Sequence, residues 1–131
     1  EIDWGLWWGG QHVLSHETNL SAGVAILFSS KLNVTVTSST EVVKGRVLMV
    51  RAEVEGFSLI FINVYAPNQG PEREGTFKIM KEKLNNIGTG EFIVLGGDWN
   101  CCTDITLDRT GEEPHVQSSL FLSHVLKKMI W

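Results

Sequence analysis

The spacing of apolar residues first changes at Pro71, and that change restricts the architecture of this chain more than any other feature. Before it the runs read as strands. "AGVAILFSS" (22–30) is short, apolar and bounded by Gly and Ser, which predicts a buried strand over 22–29. "LNVTVTS" (32–38) alternates, with Leu32, Val34 and Val36 on one face, and predicts a half-buried strand paired with its predecessor. "RVLMVRAEV" (46–54) and "FSLIFINVY" (57–65) are joined by Glu55-Gly56, the length and chemistry of a hairpin turn. After Pro71 the period lengthens, and Phe77, Met80, Leu84 and Ile87 recur at spacings of three and four. Pro71 suits a first turn, and Glu72 and Glu74 suit the positive end of a helix dipole, so a helix is expected over 72–87, ending at Gly88. "EFIVLGG" (91–97) then reads as a strand over 91–96, buried on both faces. A polar stretch precedes a last helix over 115–130, with Val116, Leu120, Val125, Met129 and Ile130 inward. Strands first, then strand and helix in alternation, predict a mixed α/β architecture with helices packed on a sheet.

Length and charge narrow the class. The 131 residues suit one domain; 43% are hydrophobic and 20% charged, as in a globular chain. A net charge of −4 is mildly unfavourable for gripping nucleic acid through bulk attraction, so any such contact would have to be local. Cys101 and Cys102 are adjacent, which excludes an unstrained disulfide, and two thiols cannot complete a zinc site. We therefore expect an intracellular protein. No apolar run approaches the ~18 residues of a membrane span. "EIDWGLWWGG" has no basic region followed by an apolar core, so it is not a signal peptide. It opens without Met and in mid-pattern, as part of a longer chain would. Trp4, Trp7 and Trp8 crowd a loop, either as a stacking surface for bases or as buried packing. His12 and His16 lack metal-ligand spacing and suit the surface.

The chemistry concentrates in "VLGGDWN" (94–100), where an apolar strand runs into two glycines. Period two places Asp98 and Asn100 on one side, with Trp99 opposite. Gly96 and Gly97 relieve steric limits where the backbone bends or approaches a neighbour. A carboxylate there can orient or deprotonate a water, and an amide can donate to a phosphate oxygen. The same residues also suit an Asx turn, in which a side chain bonds nearby backbone amides. "NVYAPN" (63–68) closes a second apolar strand the same way: Tyr65 offers a phenol, Asn68 an amide, and Pro67 fixes the turn between them.

Together, "AGVAILFS", "INVYAPN", "VLGGDWN" and "LDR" resemble the endonuclease/exonuclease/phosphatase superfamily, and most closely its branch in LINE-type (non-LTR) retrotransposons. Trp99 stands where Phe is usual, a packing change. The resemblance implies a DNase-I-like fold, here the central part of a four-layered α/β sandwich, and DNA phosphodiester hydrolysis with Mg²⁺. It implies Tyr65 beside the scissile phosphate, Asn68 on the DNA backbone, Asp98 on the attacking water and Asn100 on a phosphate oxygen. Asp108 and Arg109 match "LDR", as a structural ion pair or as chemistry, and His115 belongs to the same subgroup without an assigned role. A reverse transcriptase is the implied partner, and the nucleus the implied site of action.

Two family motifs are absent: an upstream metal-binding Glu and a late Asp-His pair. "HET" (16–18) sits too close to "AGVAIL" to supply the first, so Glu17 reads as a surface residue. We therefore expect residues 1–131 to be a partial domain. The alternatives are a non-catalytic retrotransposon remnant, or a phosphatase or phosphodiesterase of the same superfamily acting on another substrate.

Overall fold

A computed structural model of the chain describes residues 7–18, 22–101 and 115–130, the side chains of 127–130 apart. Its elements are β1 (His12–His16), β2 (Gly23–Leu27), β3 (Val34–Val43), β4 (Val47–Val54), β5 (Phe57–Tyr65), α1 (Gly70–Asn85), β6 (Phe92–Asp98) and α2 (Val116–Ile130). The expected mixed α/β architecture is present. One sheet has the order β3-β4-β5-β6, antiparallel except for the parallel β5–β6 pair, and β1–β2 form a separate antiparallel ladder. A parallel pair needs a crossover, and α1 is that crossover. It brings the C-terminal ends of β5 and β6 to the same edge.

Strand alternation divides the core between the two faces of the sheet. Val47, Met49, Ile60, Ile62 and Val64 pack with Phe77 and Met80 of α1 and with Leu122 and Val125 of α2. Leu48, Val50 and Ala52 pack on the other side with Val24, Phe28 and Val34. The 55–56 turn is the expected hairpin, with Glu55 at φ 50° and Gly56 at φ 83°. The helix α1 begins two residues before the expected start, with Pro71 in its first turn, and stops at Asn85. The amides of Asn86 and Ile87 then close on the carbonyls of Lys83 and Leu84.

Four expectations are corrected. The strand after 32 pairs with β4, not with β2, and Leu32 lies outside it, exposed. Two register shifts along β3 hide its true length from a simple alternation. The partner of β2 is β1, inside the stretch read as a loop; its "HVLSH" has too few apolar residues to show a period. Buried Ser15 anchors it by accepting from the amide of Gly45 at 2.8 Å. Next, β6 is covered on one face only: Ile93 and Leu95 meet the helices, while Phe92 and Val94 are 70% and 50% exposed. Finally, α2 turns Ser118, Ser119, Leu122 and Val125 inward and leaves Val116 and Leu120 exposed. Its face is set by a polar anchor at Ser118, which hydrophobic spacing does not report. Trp8 is half-buried and donates from Nε1 to the Phe28 carbonyl at 2.9 Å, whereas Trp7 is largely exposed, contrary to a buried role. Trp4 and Cys102 lie outside the described residues, and Cys101 is half-buried. No helix among the described residues is long and apolar enough to cross a membrane.

Candidate functional site

Tyr65 and Asp98 are direct register partners at the last rung of the parallel β5–β6 pair. Adjacent strands lie ~4.8 Å apart, and residues paired across a ladder share a face, so the two motifs form one rim. The rim is laced beyond the ladder. The amide of Ala66 donates to the carbonyl of Asp98 at 2.8 Å. The side-chain amide of Asn100 donates to the carbonyl of Ala66 at 2.6 Å. Ala66 itself is fully buried. Thus "YAPN" and "GGDWN" are two sides of one hydrogen-bonded unit.

Gly97 makes that approach feasible. It sits at φ 140°, and a side chain there would begin 1.9 Å from the Val64 carbonyl oxygen. Gly96 meets nothing within 4 Å, so only the second glycine of the pair is sterically required. Trp99 points to the helix side as expected, its ring centroid 6.1 Å from that of Phe77. Asn100 does not stay in the strand's alternation: it turns to φ 50°, and its backbone amide donates to Asp98 Oδ1 at 3.0 Å. An Asx turn is therefore present, alongside an exposed Asp98 carboxylate. One carboxylate oxygen holds the turn, and the other has no hydrogen-bond partner among the described residues. One of the two amide hydrogens of Asn100 is likewise committed to Ala66.

Sequence reading missed Arg46. Its guanidinium carbon lies 5.0 Å from the centroid of the Tyr65 ring, and its carbonyl accepts the Tyr65 amide at 2.7 Å. A cation over the ring face holds the phenol and places positive charge at the rim. The signal was available: antiparallel pairing of 46–54 with 57–65 puts Arg46 opposite Tyr65. Asn68 is exposed just beyond, while Pro67 before it is buried. His115 gains a role as the cap of α2, its Nδ1 accepting the Ser118 amide at 3.2 Å. Asp108 and Arg109 lie outside the described residues. Glu17 is exposed, its amide closing on the Ala22 carbonyl.

Among the described residues, no three His, Cys, Asp or Glu side chains gather as a metal site. Mg²⁺ demands near-octahedral oxygen ligation. Asp98, with one oxygen engaged by Asn100, does not meet that demand, so the residues present do not by themselves fit the ion.

No protein-family model matches the chain. Its fold matches a functionally unknown conserved protein from Enterococcus faecalis V583, with a TM-score of 0.58 at 15% identity over 76% of this chain and 47% of that one. It also matches truncated TDP2 from Caenorhabditis elegans, with a TM-score of 0.54 at 20% identity over 79% of this chain and 45% of that one. The chain thus has the DNase-I-like α/β fold and spans just under half of either structure. In sequence it is similar to the transposon TX1 uncharacterized 149 kDa protein of Xenopus laevis, 38% identical over 104 residues, 79% of this chain and 8% of that protein.

Proposed function

We propose that this chain supplies the phosphate-facing rim of a DNA endonuclease domain of a LINE-type retrotransposon. The observation that carries the reading is the lacing of the Tyr65 and Asp98 strand ends through Ala66 and Asn100, with the Arg46 cation on Tyr65. Similarity to a transposon protein supports DNA as substrate; a reverse transcriptase elsewhere in the full-length protein as partner, and the nucleus as the place of action, belong to the same proposal.

In this reading the free oxygen of Asp98 orients an attacking water and takes its proton. The Tyr65 hydroxyl and the remaining Asn100 hydrogen donate to phosphate oxygens, whose charge grows in the transition state. Arg46 adds positive charge beside them, and Asn68 binds the DNA backbone. Mg²⁺ would take its main carboxylate from outside these residues. The bare face of β6, with Phe92 and Val94 exposed, is covered by the remainder of the domain.

A second reading, a non-catalytic remnant, draws on the Asx turn that engages Asp98. Plasmid nicking separates the two. The protein with its flanking sequence should nick supercoiled DNA with Mg²⁺ and lose that activity in EDTA, whereas the 131-residue chain alone should not nick. Absence of nicking by the longer protein would favour the remnant.

A further inference from the structure

The side chain of Arg73 is buried, at 2% exposure, in the first turn of α1. It bends back toward the residues that precede the helix. Nη1 donates to the carbonyl of Asn68 at 2.9 Å and to that of Pro67 at 3.4 Å. Nε donates to Ser118 Oγ at 3.0 Å, in the first turn of α2. Ser118 passes its own hydroxyl hydrogen to the His115 carbonyl at 3.0 Å, and its amide to His115 Nδ1. The His115 ring in turn lies against Gly70, where any side chain would begin 2.2 Å from the ring. One guanidinium therefore ties the "YAPN" loop to the start of α2, and His115 and Ser118 hold its plane.

We infer that Arg73 is a positioning residue for the substrate phosphate, acting through Asn68. With the carbonyls of Pro67 and Asn68 drawn inward to the fork, the Asn68 side chain is presented on the exposed side of the loop. A planar fork can serve the loop and Ser118 at once; the point charge of a lysine cannot reproduce that geometry. The inference rests on reading the rim as a phosphate site and adds the element that sets where its Asn68 contact stands. It also gives α2 a part in DNA binding without a DNA contact of its own.

The test uses the protein with its flanking sequence and the variants Arg73→Lys, Ser118→Ala, Asn68→Ala and Arg73→Lys with Asn68→Ala. Backbone amide resonances of Asn68 and Gln69 report loop geometry, and single-turnover plasmid nicking reports function. Arg73→Lys should shift those resonances and raise the half-saturating DNA concentration, with the saturated rate kept, the pattern of a lost uniform contact. Ser118→Ala, a milder change, should shift both in the same direction. In the Asn68→Ala background, Arg73→Lys should add no more than about twofold, because the two act through one contact. Unchanged resonances, or kinetic losses that multiply in the double variant, would overturn the inference. If Asn68→Ala nicks normally while Arg73→Lys still shifts the loop, the phosphate reading of Asn68 fails and the clamp is structural.

Discussion

Asn100 donates its side-chain amide to the carbonyl of Ala66 at 2.6 Å, across 34 residues of sequence. That bond makes a single rim of two strand ends. Truncating Asn100→Ala leaves a buried carbonyl without this donor, at a cost of about 1–3 kcal/mol. Urea denaturation should show the loss, and nicking by the folded fraction should fall as well. A full loss of stability with normal nicking would confine Asn100 to structure.

Arg46 should behave differently. Its contact with Tyr65 is a half-exposed cation–π pair, worth about 0.5–1 kcal/mol, so Arg46→Met should melt only slightly lower. If its charge meets a DNA phosphate, removing it should weaken binding on all sequences and reduce the salt slope by about 1. Titrations at several salt concentrations check this; parallel slopes would remove Arg46 from the interface.

Gly97→Ala should fail structurally. The new methyl would lie on the Val64 carbonyl at 1.9 Å, so β6 must move away from β5. Overpacking of this kind costs about 1–3 kcal/mol, and the φ of 140° adds strain. Gly96→Ala has open space and should be tolerated, so the pair of melts is its own control.

Some of this was legible in the sequence and some was not. The 55–56 hairpin and the buried Phe77 and Met80 follow from turn chemistry and period, which are local properties. The single covered face of β6 does not, because "FIVL" is apolar at every position, and composition cannot say which side remains bare. The strand at His12–His16 escaped because its buried residue is a serine. Asp98 and Tyr65 were readable as strand-end residues, but their lacing runs through the backbone of Ala66, whose identity carries no signal. Arg73 looks like any charged residue early in a helix; its burial appears only once α2 is packed beside it.

Glu91 gives a pH dependence whose sign can be worked out. The Arg51 guanidinium and then the Gly88 amide, at 2.8 Å, hold its carboxyl below the ordinary value. A group that is a stronger acid when folded contributes stability while ionised and loses it as pH falls through the carboxylate range. Glu91→Gln should therefore be slightly less stable at neutral pH and show a flatter acid limb. Equal acid limbs in urea midpoints would contradict the Arg51–Glu91 pairing in solution.

In the proposed function Asp98 does chemistry as well as holding its turn, and Asp98→Asn separates these roles. Asparagine keeps an oxygen to accept the Asn100 amide and removes the carboxylate that takes a proton. Single-turnover nicking by the protein with its flanking sequence, beside a thermal melt and a DNA titration, is the direct measurement. A near-normal melt, retained DNA binding from phosphate contacts elsewhere, and a rate lower by about 10²–10⁴ are expected. Nicking at the normal rate by the folded Asp98→Asn protein would contradict the chemical role and leave Asp98 as a turn residue.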